Sequence, residues 1–154
     1  MKKAILIALA LLVVALGVVI ARNRPTADQE AIVYRQALMT VIGGTTDPLL
    51  LMQRGQIPYD AALIRKHVGE LPVLSGMIPE AFARDTRSAR HVDSAALPSI
   101  WSSHKNFLQS AQRLQSDANA LQNAVKTADQ AQIDSAIGTL TGGCNQCHRS
   151  FRQN

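Results

Sequence analysis

The segment Cys144-Asn145-Gln146-Cys147-His148 holds both cysteines of the 154-residue chain. Two thiols at this C-x-x-C spacing can each add to one vinyl group of a haem, giving two thioethers. The next residue, His148, is then held beneath the iron and can supply an imidazole nitrogen. Covalent linkage keeps a haem in place even where its pocket is small and open to water. Three other readings use the same residues. A zinc site needs about four ligands, yet the remaining histidines, His67, His91 and His104, have no partner at ligand spacing. A thioredoxin-like redox pair needs a strand-to-helix setting, whereas this pair closes a helical apolar stripe. The third is a chance occurrence of the motif. One close cysteine pair is also no disulfide scaffold, which would need several spaced bridges. Covalent haem c is the reading that uses every residue of the motif.

The elements that must position this motif read as helices. Aromatic residues are only 4% of the chain, so a core must be built from Leu, Ile, Val and Ala. An Ala- and Gln-rich composition favours helix. Asp28 and Glu30 suit the positive end of a first helix, predicted over about Ala27 to Arg54. Ile32, Arg35, Met39 and Ile42 fall on one face of it, with Leu38 beside them. Gly43-Gly44 and Pro48 are expected to weaken or bend its middle. Gly55 ends it, and Gln56-Ile57-Pro58 turns the chain. Asp60 caps a second helix with the stripe Ala61, Ile64, Val68, Leu71 and Ile78, kinked at Pro72. Pro79 to Pro98 shows no sustained period and reads as a loop, with a short turn near Ile100-Trp101. Phe107, Ala111, Leu114, Ala118, Leu121 and Val125 define a third helix. Thr127-Ala128-Asp129 breaks it and caps a fourth, which carries Ile133, Ile137, Leu140, Cys144, Cys147 and Phe151. The fold class expected is all-α, an antiparallel four-helix bundle with one long connection. No long-period repeat or low-complexity tract is present.

The N-terminus reads as a targeting segment. Met1-Lys2-Lys3 is basic, and Ala4 to Ala21 lacks any charged residue. Val19-x-Ala21 offers a small-residue cleavage site. The apolar run is nevertheless long enough to span a bilayer, which takes roughly 17–25 residues. Arg22 and Arg24 follow it directly, which favours a retained anchor over a cleaved signal. The division expected is residues 1–24 as signal peptide or uncleaved membrane anchor, and 25–154 as the exported domain. An N-terminal apolar helix would then precede the bundle, and residues 4–21 are the candidate membrane tether. Part of the formal charge of +5 sits in this leader. The rest is scattered, with no Lys/Arg run interleaved with aromatics, so nucleic acid is excluded as a partner.

From Ala27 onward the chain resembles the class II c-type cytochromes, the cytochrome c-prime and cytochrome c-556 group. The resemblance rests on Tyr34-Arg35-Gln36 with Met39, on Gly55-Gln56-Ile57-Pro58-Tyr59-Asp60, on Ile100-Trp101 with Phe107, and on Cys147-His148-Arg149-Ser150-Phe151-Arg152. A haem motif at the C-terminal end separates this group from the class I cytochromes c. The resemblance implies a four-helix bundle with one haem c inside it and a periplasmic location. It also implies that the residue five past the Tyr, here Met39, points at the distal side of the iron. The c-prime type has a non-ligating apolar side chain there. The c-556 type has a methionine that can bind. His148 and Met39 are therefore the expected axial ligands. Taken without the resemblance, Met39 reads as core filler. Leu38 would face the haem in a register shifted by one residue, and Met52 and Met77 read as packing residues.

Arg35 lies one turn before Met39 on the same face and needs a counter-charge. A haem propionate would supply one. The alternative is a side chain that snorkels to water. Arg152, four past His148, either approaches the histidine edge of the haem or complements the negative end of the last helix. Trp101 either packs near the haem or caps the bundle, with capping favoured. Met/His ligation suits a one-electron carrier, serving redox partner proteins that the sequence does not identify. The alternative is a five-coordinate protein of the c-prime type that binds NO or CO. A haem enzyme ranks last, because the segment around Met39 offers no distal acid–base group except Arg35. A homodimer through the first two helices is a further implication of the resemblance.

Overall fold

The structure is a computed structural model that describes residues 25–90, 92–127 and 129–153. The leader and its apolar run, together with His91, lie outside the described residues. Six helices are described: α1 (Ala27–Gln53), α2 (Ala61–Gly76), α3 (Ile78–Ala81), α4 (Ser99–Ser102), α5 (His104–Thr127) and α6 (Gln130–Phe151). The four long ones form the bundle. Among the described residues no helix is long and apolar enough to cross a membrane.

Each long helix starts where a side chain can satisfy the first free amides. Thr26 and Gln29 form a reciprocal capping box at α1. Asp28 and Glu30 lie in the first turn as expected, but the cap itself is made by Thr26 and Gln29. Asp60 accepts the amides of Ala62 and Leu63 at α2, and Asp129 accepts those of Ala131 and Gln132 at α6. Caps of this kind contribute about 1 kcal/mol each. Gly55 ends the first turn at φ 67, a left-handed conformation that glycine adopts without cost. Pro48 and Pro72 lie inside α1 and α2, and neither ends its helix.

Short turns make α1 antiparallel to α2 and α5 antiparallel to α6. The α2–α5 pairing is also antiparallel. Gly76 and Pro72 at the end of α2 meet Gln115 in the first half of α5, while Ile64 near the start of α2 shares one cluster with Leu121 further along α5. Gln53 reaches Asp134 and Gly138 at the start of α6, which sets α1 against α6 in the same sense. Helix α5 packs against both α6 and α2.

Two apolar clusters fill the bundle. One, at the end holding the α1–α2 turn, joins Leu49, Met52, Ile64, Val68, Leu71, Ala118, Leu121, Ile133, Ile137 and Leu140. Full burial of one such Leu or Ile contributes about 1.5–3 kcal/mol. The other joins Leu38, Ile42, Ile78, Ala81, Phe82, Ile100, Phe107, Ala111 and Phe151. Most of the aromatic contacts lie there. Phe107 meets Phe82 with ring centroids 5.1 Å apart and Phe151 at 5.4 Å.

Four expectations need correction. Ala61 is exposed and belongs to no core stripe. Ile78 is buried, as expected, but in α3 and not in α2, because α2 stops at Gly76 and Met77 caps the next turn. The stretch from Pro79 begins helically, since Pro79 occupies the first turn of α3, where its missing N–H costs nothing. Trp101 does not cap the bundle: it packs against the second cluster, and its indole N–H donates to the Phe82 carbonyl at 3.0 Å.

Candidate haem site

Helix geometry carries Cys144, Cys147 and His148 along one face of the last turns of α6, at positions i, i+3 and i+4. All three are half-buried, and the two cysteines are unpaired. Cys147 packs against the second cluster. Gly142 and Gly143 precede the motif. A side chain at Gly143 would stand 3.2 Å from the Asp117 carboxylate of α5, so α5 and α6 approach closely at the motif.

Burial governs the charge state of the motif. It pushes the Cys144 thiol up to about 11, with the neighbouring Cys147 thiol and Asp117 acting in the same direction. Burial also raises Cys147. His148 is held below its ordinary value by burial and then by the positive charge of Arg152. At neutral pH the motif is therefore two neutral thiols and a neutral imidazole whose lone pair is free for a metal. Burial raises the Asp117 carboxyl as well, against the opposing charge of Arg113. Asp117 was missed from the sequence. It sits three past Leu114 and four before Leu121, so its place on the apolar face of α5 was a readable signal.

Across the cluster from Cys147 lies α1. Leu38 is the residue it buries, at 5% exposure, while Met39 is half-buried at the edge of the same cluster. Met39 and Cys147 thus border one apolar region. One turn after Met39, a side chain at Gly43 would meet nothing within 4 Å, so there is open space on that side of α1. Met77 also borders this cluster, whereas Met52 is buried in the other one, where its sulfur accepts the Asp60 amide.

Arg35 does not snorkel. It is 2% exposed, donating from Nη1 to Thr86 Oγ1 at 2.9 Å and from Nη2 to the Arg84 carbonyl at 3.3 Å. Its Nε is buried without a partner. Thr86 lies in the stretch without periodicity, and no sequence signal marks it as a partner. Arg152 is exposed, follows α6, and bridges to Ala96 while its amide donates to the His148 carbonyl. Among the described residues no group of three or more His, Cys, Asp or Glu side chains could hold a metal ion, so the zinc reading finds no ligand set there.

Comparisons with known proteins bear on this arrangement. The family described as Cytochrome C' matches residues 30–152. A cytochrome c' of Rhodopseudomonas palustris is 30% identical, covering 88% of this chain and 90% of that protein. A cytochrome c-556 of Agrobacterium tumefaciens is 31% identical, over 77% of this chain and 93% of that protein. Among solved structures, cytochrome c prime from Shewanella frigidimarina superposes with a TM-score of 0.77 at 28% identity, over 85% of this chain and all (100%) of that one. A nitric oxide complex of a variant cytochrome c prime from Alcaligenes xylosoxidans gives 0.74 at 29% identity, over 85% of this chain and 99% of that one. With the haem motif at the end of a four-helix bundle, these matches mean that the chain belongs to the Cytochrome C' family of class II c-type cytochromes, helical bundles that carry covalently attached haem c.

Proposed function

We propose that Cys144 and Cys147 attach the haem, that His148 ligates its iron, and that NO or CO binds on the opposite, Met39 side. The residues fit the group. Two half-buried thiols and a neutral imidazole border an apolar cluster, and a buried arginine nitrogen near that cluster lacks an acceptor. Haem supplies a redox-active iron with two axial positions. The chain's own residues supply anchorage, an apolar surround and a buried positive charge. The observation that carries the gas-binding reading is the family match over residues 30–152, whose relatives include proteins named cytochrome c'. The likeness to a nitric oxide complex supports it.

A one-electron carrier is the second reading, and Met39 itself favours it. Its thioether borders the same cluster as Cys147 and is a ligand type that raises the haem potential. The cytochrome c-556 relatives support it. The two readings meet if Met39 ligates weakly and yields to a gas. In that case the wild-type ferric protein shows a thioether–iron charge-transfer band in the near infrared, and Met39→Leu removes it. The variant is then expected to bind CO at least tenfold more tightly, because no ligand has to leave. A high-spin ferric spectrum in the wild type would sink Met39 ligation and leave the five-coordinate gas-binding protein.

Arg35 is assigned to a haem propionate, on the strength of its burial and its unpaired Nε. We assign Arg152 to the histidine edge of the haem, supported by the action of its charge on His148. A non-enzymatic role accords with the family, whose members are haem cytochromes. The periplasm is the compartment in which such a haem protein would meet its redox partners, and residues 4–21 remain the candidate tether.

The outer face of α1 supports a homodimer. Val33, Ala37, Val41 and Leu51 recur along it at helical spacing and are exposed, with Val33 at 60% and Val41 at 51%. An aligned apolar stripe of this kind suits a second copy of the chain. Sedimentation at micromolar concentration should give a dimer for the wild-type domain and a monomer for Val33→Glu/Val41→Glu. A wild type that sediments as a monomer rules the interface out.

A further inference from the structure

Arg35 is an expensive residue to bury, and the described structure gives it no acid of its own. Asp28 is taken by Arg84, with Nε 2.6 Å from its Oδ1, and Asp85 is taken by Arg87, also at 2.6 Å. Both acids still act on Arg35 from a distance, but burial outweighs them. Its two hydrogen bonds go to neutral acceptors, Thr86 and the Arg84 carbonyl. The remaining stabilisation comes from two ring faces. The guanidinium carbon stands 5.1 Å from the Phe82 centroid and 5.2 Å from that of Trp101. Both fall within the distance at which a cation is held by an aromatic quadrupole.

These rings are not independent. The Trp101 indole N–H donates to the carbonyl of Phe82, the residue that supplies the other ring. Trp101 stands on α4, and Ser99 of that helix donates from its hydroxyl to the Ser150 carbonyl at 2.9 Å, two residues past His148. Leu97 N–H reaches the Phe151 carbonyl at the same distance. The clamp is thus tied to the turn of α6 that carries the proposed iron ligand. On the other side, Gln36 donates to the Asp93 carbonyl at 2.9 Å, which ties α1 to the same connecting segment.

We propose that Phe82 and Trp101 are positioning residues that fix Arg35 as an oriented positive charge facing the haem, and through it raise the haem's reduction potential. The inference rests on the assignment of Arg35 to a haem propionate. A mobile guanidinium would let its charge move into water, where it is screened. A clamped one acts in full on the oxidised, more positive iron and disfavours it relative to the reduced form.

The test is a double-mutant cycle on the haem-loaded domain, read by spectroelectrochemical titration at one pH and ionic strength. The visible spectrum serves as a check on the axial ligands. Arg35→Gln is expected to lower the equilibrium constant for reduction about tenfold, which is about 59 mV for one electron. Trp101→Leu should move it in the same direction by about threefold, and Trp101→Phe, which keeps a ring face, by less. In the Arg35→Gln background Trp101→Leu should add nothing, because its effect is routed through Arg35. An equal shift in both backgrounds overturns the clamp, as does no shift for Trp101→Leu while Arg35→Gln shifts. If Arg35→Gln itself leaves the potential unchanged, the propionate assignment falls and the clamp with it. Should Trp101→Leu fail to fold, Trp101→Phe and Phe82→Leu carry the same cycle.

Discussion

A chain in which Cys144 and Cys147 are both alanine is expected to emerge with the mass of the polypeptide alone, and without haem colour after denaturing electrophoresis. Each thioether would be made by one of these thiols, and the chain has no other cysteine. Without them the group would be held by non-covalent contacts alone, chiefly the coordinate bond from His148 at a half-buried position. Single variants should keep one thioether and retain haem through denaturation at reduced yield. Mass spectrometry of the intact protein checks this directly. Covalently bound haem on the double variant would remove the assignment of both residues. The folded domain should also lose stability, because a group that binds only the folded state stabilises it by mass action.

The second large effect is expected at Phe107. It is 2% exposed and touches rings from two other segments, Phe82 beyond α3 and Phe151 at the end of α6. Phe107→Ala leaves a cavity where α5, α6 and the connecting segment meet. Truncation of this kind costs about 3–5 kcal/mol, a large part of the roughly 5–15 kcal/mol that holds a domain together. Denaturant unfolding of the haem-loaded protein should show an unfolding free energy lowered by that amount, read as a lower midpoint at unchanged slope. The comparison is Val73→Ala, at a residue 68% exposed, expected to stay within about 0.5 kcal/mol of wild type. A Phe107→Ala loss under about 1 kcal/mol would mean that this aromatic group does not support the haem end.

The bundle was legible because its long helices carry strong local signals. The stripe from Phe107 to Leu121 repeats at helical steps, and Phe107, Ala111, Ala118 and Leu121 are the residues α5 buries. Asp60, Asp129 and Gly55 mark helix ends by chemistry that acts within a few residues. The stretch between Pro79 and Pro98 was opaque for the opposite reason. Its order comes from distant partners, Arg35 with Thr86 and Gln36 with Asp93, which leave no periodic trace. Trp101 is hard to place from sequence on the same ground. Its position depends on the Phe82 carbonyl, 19 residues earlier in the chain.

By itself, the sequence determined which residues stand together for the proposed covalent chemistry. A C-x-x-C-H motif needs only neighbours along one helix, so Cys144, Cys147 and His148 are adjacent in any structure where that helix forms. It also determined the helical class, because periodicity and caps are local. Only the tertiary structure decided what stands around that motif. It set Leu38 in the core and Met39 at its edge, and left open space over Gly43. It also buried Arg35 between two rings without an acid of its own. Burial and charge neutralisation depend on which helices meet, and that is a property of the packed bundle, not of any one segment.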